Sequence, residues 1–246
     1  SSLVCLTVGL WMAVALSEAA QVTGQITDSQ TGAPLPARLY IRGASGHWHF
    51  ADSTDPARPA VRYARTNWIN ANAVECHVTL SDAPFRADLP PGNYTVTVER
   101  GKEYRPLIER IAVAAHPVTL DLRIRRWINM AQRGWYSGET HLHRTPAELT
   151  NVILAEDLNV AFPLSFWVTQ AFAAPGGGDR NMAGEFPPQP LYADRTHVIW
   201  TRNTEYEIFT VGGKSHTLGA LFLLNHRSVF TNGVPPWGAV AAQARD

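Results

Sequence analysis

The chain has 246 residues, and its 21 Lys and Arg balance its 21 Asp and Glu, so the formal net charge is +0. A general nucleic-acid-binding protein carries a positive excess that this chain lacks. The hydrophobic fraction of 45% is too high for a disordered chain. A chain of this length forms one large or two modest domains. Composition therefore favours a globular protein and argues against general binding of nucleic acid.

The first twenty residues have the pattern of a secretory signal peptide. Residues 3–16 are an apolar run that is too short to span a bilayer comfortably, and residues 17–20 (SEAA) suit a signal peptidase. We expect residues 1–20 to be a partial signal peptide, since the chain starts with Ser1 and has no basic residue before the run. The mature protein would be secreted or periplasmic, with no stable membrane span after cleavage. A buried helix or an uncleaved anchor are the alternatives.

Residues 21–126 have the alternation of short β-strands. Apolar and polar residues alternate in 94–99 and 117–124, and the turn-forming residues 89–93 precede the first of these segments. This spacing, without helical periodicity, predicts a small antiparallel β-sandwich. The patterns of residues 24–37 and 89–96 resemble the carboxypeptidase-regulatory-like sandwich module, which implies a structural or positioning role.

A histidine pair, His141 and His143, follows the sandwich. Because the two residues are two apart in a strand-like stretch, both imidazoles project to one side and can bind one ion. Residues 145–148 (TPAE) have the pattern of a helix N-terminus with Thr145 as the N-cap. Residues 160–168 are the next predicted strand. This order predicts a β-α-β unit, in which chemistry lies at the C-terminal ends of the strands.

A second set of candidate ligands lies nearer the end of the chain. Glu205 and Glu207 share one face if their segment is extended, and His216 follows a glycine turn. We predict that one of these glutamates and His216 meet at the mouth of a hairpin and complete a set with His141 and His143. Such histidine and carboxylate ligands suit the divalent ions of Zn, Mn or Fe.

Three motifs add a family resemblance to these spacings. They are NMAQRGWYSGETHLH at residues 129–143, LAEDLNV at 154–160, and the EIFT…HTLG pattern of residues 207–219. Together they resemble the CehA/McbA-like metallohydrolases of the polymerase-and-histidinol-phosphatase (PHP) superfamily. The resemblance implies that His141 and His143 are metal ligands, that Glu207 bridges two ions with Glu205 as its close competitor, and that His216 is a further ligand.

The same resemblance implies a multidomain α+β fold. The antiparallel β-sandwich of residues 21–126 would be followed by part of a distorted (β/α) barrel of PHP type over residues 127–246. The implied function is an exported, metal-dependent hydrolase, which uses ion-activated water on a phosphoester or on a carbamate, amide or ester bond of a small-molecule substrate. Arg144 is a candidate contact for an anionic substrate, and a surface charge at the helix start explains it equally well.

Two departures from the family pattern keep other functions open. Residues 164–167 (LSFW) stand where many members have Thr-Asp-His, and the last family motif would lie beyond Asp246. We therefore expect a fragment with an incomplete metal site. The alternative function is a degenerate, non-catalytic protein that binds a ligand or partner. A third hypothesis makes the sandwich a carbohydrate- or surface-binding module with Trp48 and Trp68 as its platform.

Overall fold

The structure is a computed structural model that describes residues 19–67, 69–177, 186–216 and 218–245. The predicted signal peptide lies outside the described residues except for its last two positions, and so does Trp68. Among the described segments, no helix has both the length and the apolar character needed to cross a membrane.

Eleven strands of the N-terminal half form two sheets. These strands are β1 (Ala20–Asp28), β2 (Ala37–Gly43), β3 (Trp48–His49), β4 (Asp52–Ser53), β5 (Val61–Thr66), β6 (Val74–Leu80), β7 (Phe85–Leu89), β8 (Gly92–Glu99), β9 (Tyr104–Arg105), β10 (Leu107–Val113) and β11 (Val118–Arg126). The first sheet has the order β4-β7-β1-β11-β9, and the second has the order β10-β8-β2-β6-β5 with β3 beside β2. The pairing is antiparallel except between β1 and β11, which run parallel.

One hydrophobic core lies between these two sheets, as expected for a sandwich. It forms because each strand alternates buried and exposed positions: Leu120, Leu122 and Ile124 of β11 are buried, and the residues between them are exposed. Strand β8 contributes Val96 and Val98 to the same core in the same way. Burying each of these larger side chains stabilises the fold by roughly 1.5–3 kcal/mol.

The C-terminal half contains short strands and two α-helices within the described residues. After a 3₁₀ turn at Ala131–Arg133, the elements are β12 (Gly138–Leu142), α1 (Pro146–Ala155), β13 (Val160–Pro163), β14 (Phe166–Gln170), β15 (Gly176–Gly177), β16 (Leu191–Tyr192), β17 (Val198–Ile199), β18 (Thr204–Val211), β19 (Lys214–Ser215), β20 (Ala220–Leu223) and α2 (Gly238–Gln243). They form one sheet of order β12-β13-β17-β16 and another of order β15-β14-β18-β19, with β20 beside β18.

The predicted β-α-β unit is present, because β12 and β13 pair in parallel on either side of α1. Thr145 is the N-cap, and its hydroxyl accepts a hydrogen bond from the backbone N–H of Glu148 at 3.4 Å. Leu149 and Ile153 lie one turn apart on α1 and are fully buried against the strands. Helix α1 therefore fixes the start of the C-terminal half on its sheet.

The predicted distorted (β/α) barrel is wrong, and the fold is mostly β. Among the described elements, α1 is the one helix that connects parallel strands, and the strands are divided between two sheets. Residues 160–168 form two strands in different sheets, because the chain turns at Ser165, whose hydroxyl donates to the backbone carbonyl of Thr201. No helix lies in the described parts of the segment between β14 and β17, residues 171–177 and 186–197, to cover a barrel.

A buried ionic network, formed by Arg100, Arg126 and Asp157, joins the sandwich to the end of α1. Asp157 Oδ1 lies 2.8 Å from Arg100 Nη2, and Asp157 Oδ2 lies 2.7 Å from Arg126 Nη2. The side chains of Asp157 and Arg100 are both less than a tenth exposed. Arg100 also donates to the carbonyl of Leu154, at the C-terminal end of α1. The network therefore holds the two halves of the chain together through charged hydrogen bonds.

His197 extends this network to the loop before β17. Its Nδ1 lies 2.8 Å from Asp194 Oδ1, and its Nε2 lies 3.7 Å from Asp157 Oδ1. Burial alone would lower the pKa of His197, but the negative charge of the nearby Asp157 and the hydrogen-bonded carboxylate of Asp194 outweigh burial and raise it. The folded protein therefore favours the protonated imidazole.

We expect the free energy of unfolding to fall as the pH rises from 6.5, the ordinary pKa of histidine, through the raised pKa of His197. A raised folded-state pKa contributes stability that is complete below the unfolded-state pKa and is lost above the folded-state one. Urea unfolding across this pH range should therefore show a decline that His197→Gln flattens. His116→Gln, at an exposed turn of the sandwich, serves as the control. An unchanged decline in His197→Gln would contradict this assignment.

Candidate metal centre

Three of the predicted ligands meet at one point of the structure: His141 on β12, His143 directly after that strand, and Glu205 on β18. The Nε2 of His143 lies 3.2 Å from Glu205 Oε2, and the Nε2 of His141 lies 3.7 Å from Glu205 Oε1. One ligand atom from each residue lies within 4.8 Å of the other two. Atoms this close together, of these types, can ligate a single ion.

Strand geometry and two aromatic rings hold this group together. The ring centres of His141 and His143 lie 5.3 Å apart, and both Nε2 atoms lie near the carboxylate of Glu205. Glu205 pairs with Trp167 on β14 and with Phe222 on β20. The ring of Phe222 lies 4.9 Å from that of His141, and the ring of Trp167 lies 5.9 Å from that of His143. The rings therefore pack the imidazoles beside the carboxylate.

The carboxylate of Glu205 is unusual because it is a charged type of side chain that is fully buried. Its side chain is 0% exposed, and within the described residues neither of its oxygens accepts a hydrogen bond. The Nδ1 of His143 is buried and likewise has no hydrogen-bond partner there. Burial of an uncompensated carboxylate costs several kcal/mol, so such a group calls for a cation or a proton. The donor set and its burial therefore fit a divalent metal ion.

The group is open to solvent on one side. The side chain of His141 is 49% exposed, whereas that of His143 is 22% exposed. A ligand approaching from solvent therefore reaches the group beside His141. An open side of this kind distinguishes a site that can accept a substrate from a closed structural metal site.

The other predicted site residues lie outside this group. Glu207 is partly exposed two residues further along β18, and His216 is exposed between β19 and β20, where its N–H donates to the carbonyl of Phe209. Arg144 is directed at the sandwich, with its guanidinium 5.3 Å from the ring centre of Tyr63. The structure thus brings Glu205, rather than Glu207, to the histidine pair.

Sequence reasoning did not single out Phe222 as part of the site. Its role depends on the antiparallel pairing of β20 with β18, which places it directly opposite Glu205. Residues 220–224 (ALFLL) are all hydrophobic, so their pattern does not show which of them lies opposite Glu205.

Comparisons with known proteins do not identify the chain. No protein-family model and no curated protein matches it. A pilus 2b backbone protein of group B streptococcus matches 44% of this chain and 41% of its own at 16% identity, with a TM-score of 0.29. The phospholipase PlaB from Legionella pneumophila, alone and in complex with thio-NAD, matches with 15% identity and a TM-score of 0.24.

The chain spans less than half the length of each of these proteins, including 27% of the phospholipase in its complex with thio-NAD. Similarity at these TM-scores supports no inference about the fold or the function. The functional interpretation of the chain therefore depends on the geometry of its own residues.

Proposed function

We propose that the chain binds a divalent metal ion through His141, His143 and Glu205, and that the ion serves a hydrolytic reaction on a small-molecule substrate. One observation carries the proposal: a fully buried carboxylate has no hydrogen-bond donor within the described residues and faces two imidazole Nε2 atoms. Two histidines and one glutamate also form the protein ligand set of several hydrolytic zinc enzymes.

Each residue of the centre has its own role in such a site. His141 and His143 supply neutral nitrogen donors, and Glu205 supplies the negative charge that offsets the ion. These three residues would hold a divalent ion, and the chemistry supplied by the ion would be activation of a water molecule and polarisation of a carbonyl or phosphoryl group. Trp167 and Phe222 pack against the imidazoles and limit their movement. The substrate reaches the centre from the exposed side of His141.

The motif resemblance supports hydrolysis as the reaction class. Residues 129–143 and 154–160 resemble segments of the CehA/McbA-like metallohydrolases, and the proposed ligand pair His141 and His143 lies in the first of them. The proposal differs from that resemblance in using Glu205 as the carboxylate ligand. Export through the signal-like residues 1–20 belongs to the same proposal.

Metal content tests the ligand assignment. We expect the purified chain to bind about one Zn²⁺ or Mn²⁺ in equilibrium dialysis, since the three residues form a single group. His141→Ala and His143→Ala should lose this ion, whereas the exposed and remote His116→Ala should keep it. His216→Ala should also keep it, because His216 lies outside the group. Equal metal content in the wild-type chain and in His143→Ala would refute the assignment.

A non-catalytic, ligand-binding protein is the second candidate function. The observation that favours it is the ring of Trp167 against His143, because Trp167 belongs to the segment 164–167 that stands where many members of the resembling family have Thr-Asp-His. Hydrolysis of 4-nitrophenyl esters of phosphate, acetate and N-methylcarbamate distinguishes the two functions. Turnover that needs added Zn²⁺, Mn²⁺ or Fe²⁺ and is lost in His143→Ala supports the hydrolase. Metal binding without turnover of any of the three esters supports the binding protein.

A further inference from the structure

Part of the outer face of the second sandwich sheet is left open by the rest of the described chain. Helix α1 packs over the β5–β6 side of this face, where the amide of Asn151 donates to the carbonyl of Pro59 at 3.0 Å. Helix α1 also contacts β2, where Arg38 Nε lies 2.9 Å from Glu156 Oε1, and the open side is the part of the face over β3, β8, β10 and the Arg42 end of β2. The side chains of that open side are therefore available to a ligand.

A row of four paired residues crosses this open side. Arg42 pairs with Trp48 on one side and with Thr95 on the other, and Thr95 pairs with Arg110. Directly paired residues of adjacent strands project to the same face of a sheet. We call Trp48, Arg42, Thr95 and Arg110 the arginine row.

The two cations of the arginine row are exposed, and within the described residues neither Arg42 nor Arg110 forms an ion pair with a carboxylate. The guanidinium of Arg42 lies 5.2 Å from the ring centre of Trp48, which keeps it extended along the sheet. Arg38, on the same strand as Arg42, is by contrast within 3.6 Å of both Glu99 and Glu75. The positive charge of the arginine row is therefore not neutralised by the protein itself.

Two shallow cavities lie along the row and share Thr95. One has a volume of about 320 Å³ and is lined by Tyr40, Arg42, Trp48, Thr95, Thr97 and Glu99. The other has a volume of about 500 Å³ and includes Arg110 and Asn93 in its lining. Both volumes lie within the range of small-ligand sites. The lining combines an aromatic ring, hydroxyl groups and guanidinium groups.

We propose that the arginine row binds an acidic polysaccharide. The indole of Trp48 offers an apolar surface for the face of a sugar ring, and the hydroxyls of Thr95 and Thr97 bond to sugar hydroxyls. The guanidinium groups of Arg42 and Arg110 pair with carboxylate or sulfate groups of the glycan. These arginines lie two strands apart, which separates their Cα atoms by about 10 Å, and acidic groups on neighbouring or alternate sugar units span such a distance.

Isothermal titration of the whole chain with oligogalacturonate tests this site. We expect binding that weakens as salt rises, and no binding of a neutral galactan oligosaccharide. Arg42→Ala and Arg110→Ala should each weaken binding about tenfold, because each loses one charge-assisted pair. Trp48→Ala should also weaken it, and Trp48→Phe should restore part of the affinity. Arg86→Ala, an exposed arginine on the other sheet, is the matched control and should leave affinity unchanged.

Further ligands distinguish the sources of negative charge. A sulfated glycan that binds in place of oligogalacturonate, with the same response to the variants, supports the site and assigns sulfate to it. No binding of either acidic glycan at millimolar concentration would overturn the proposal. So would equal binding of oligothymidylate, because a general polyanion surface needs no sugar-stacking ring. Equal losses in Arg86→Ala and Arg42→Ala would overturn it as well.

Discussion

Asp157→Asn should lower the free energy of unfolding by about 3–5 kcal/mol, because it leaves a buried guanidinium without its counter-charge. Arg100 is 6% exposed and loses its partner at 2.8 Å, and Arg126 loses a partner at 2.7 Å. Both arginines come from the ends of sandwich strands, whereas Asp157 directly follows α1. The loss should therefore weaken the connection between the two halves more than either half by itself.

The contribution of Asp157 to the free energy of unfolding should decrease at low pH. Burial alone would raise the pKa of Asp157, but the nearby His197 and the charges and hydrogen bonds of Arg100 and Arg126 outweigh burial and lower it. Asp157 therefore contributes stability that is present above pH 3.8, the ordinary carboxyl value, and is lost as the pH falls through the lowered pKa.

Urea unfolding at neutral pH, monitored by circular dichroism, measures the effect of Asp157→Asn. Asp121→Asn is the matched control, because Asp121 pairs with Arg123 on the exposed face of β11, with both side chains more than half exposed. It should leave the free energy of unfolding unchanged, since water already screens that pair. Equal effects of the two substitutions would show that the buried network does not join the two halves.

Glu205→Gln should have opposite effects on the stability of the metal-free chain and on metal binding. In EDTA we expect the variant to be more stable by about 1–3 kcal/mol, because it replaces a buried carboxylate that has no hydrogen-bond donor within the described residues. Addition of Zn²⁺ at a hundred times its Kd should stabilise the wild-type chain by about 2.7 kcal/mol. The variant should gain nothing from the ion, because it lacks the negative ligand.

Thermal or urea unfolding with EDTA and with Zn²⁺ measures both effects in one series. Glu207→Gln is the matched control, because Glu207 lies on the same strand, is partly exposed and is outside the ligand group. It should keep the response to Zn²⁺. A variant Glu205→Gln that loses stability in EDTA and still responds to Zn²⁺ would contradict the proposed centre, and loss of the response in Glu207→Gln alone would move the centre to that residue.

Local signals in the sequence predicted the parts of the fold that depend on neighbouring residues. The alternation in residues 94–99 and 117–124 predicted strands, and the structure has β8 and β11 there. Thr145 predicted the start of α1 correctly, because an N-cap acts on a backbone N–H only three residues away.

Predictions that needed long-range pairing were less successful. The parallel pairing of β1 with β11 joins residues almost a hundred positions apart, and no periodicity reports such a partner. The barrel was wrong for a related reason: the resemblance covers motifs, whereas a barrel needs helices over every crossover. In the described residues, β13 is followed by a turn and a second sheet.

The sequence by itself singled out His141 and His143 as candidate ligands of one ion, since residues two apart in a strand-like stretch project to one side. It left Glu205 and Glu207 open, because both project from the same face of β18. Only the tertiary structure decided between them. The pairing of β18 with β14 and β20 buries Glu205 beneath the histidines, whereas Glu207 lies partly in solvent. Burial depends on strands distant in sequence, so residue type and spacing do not determine it.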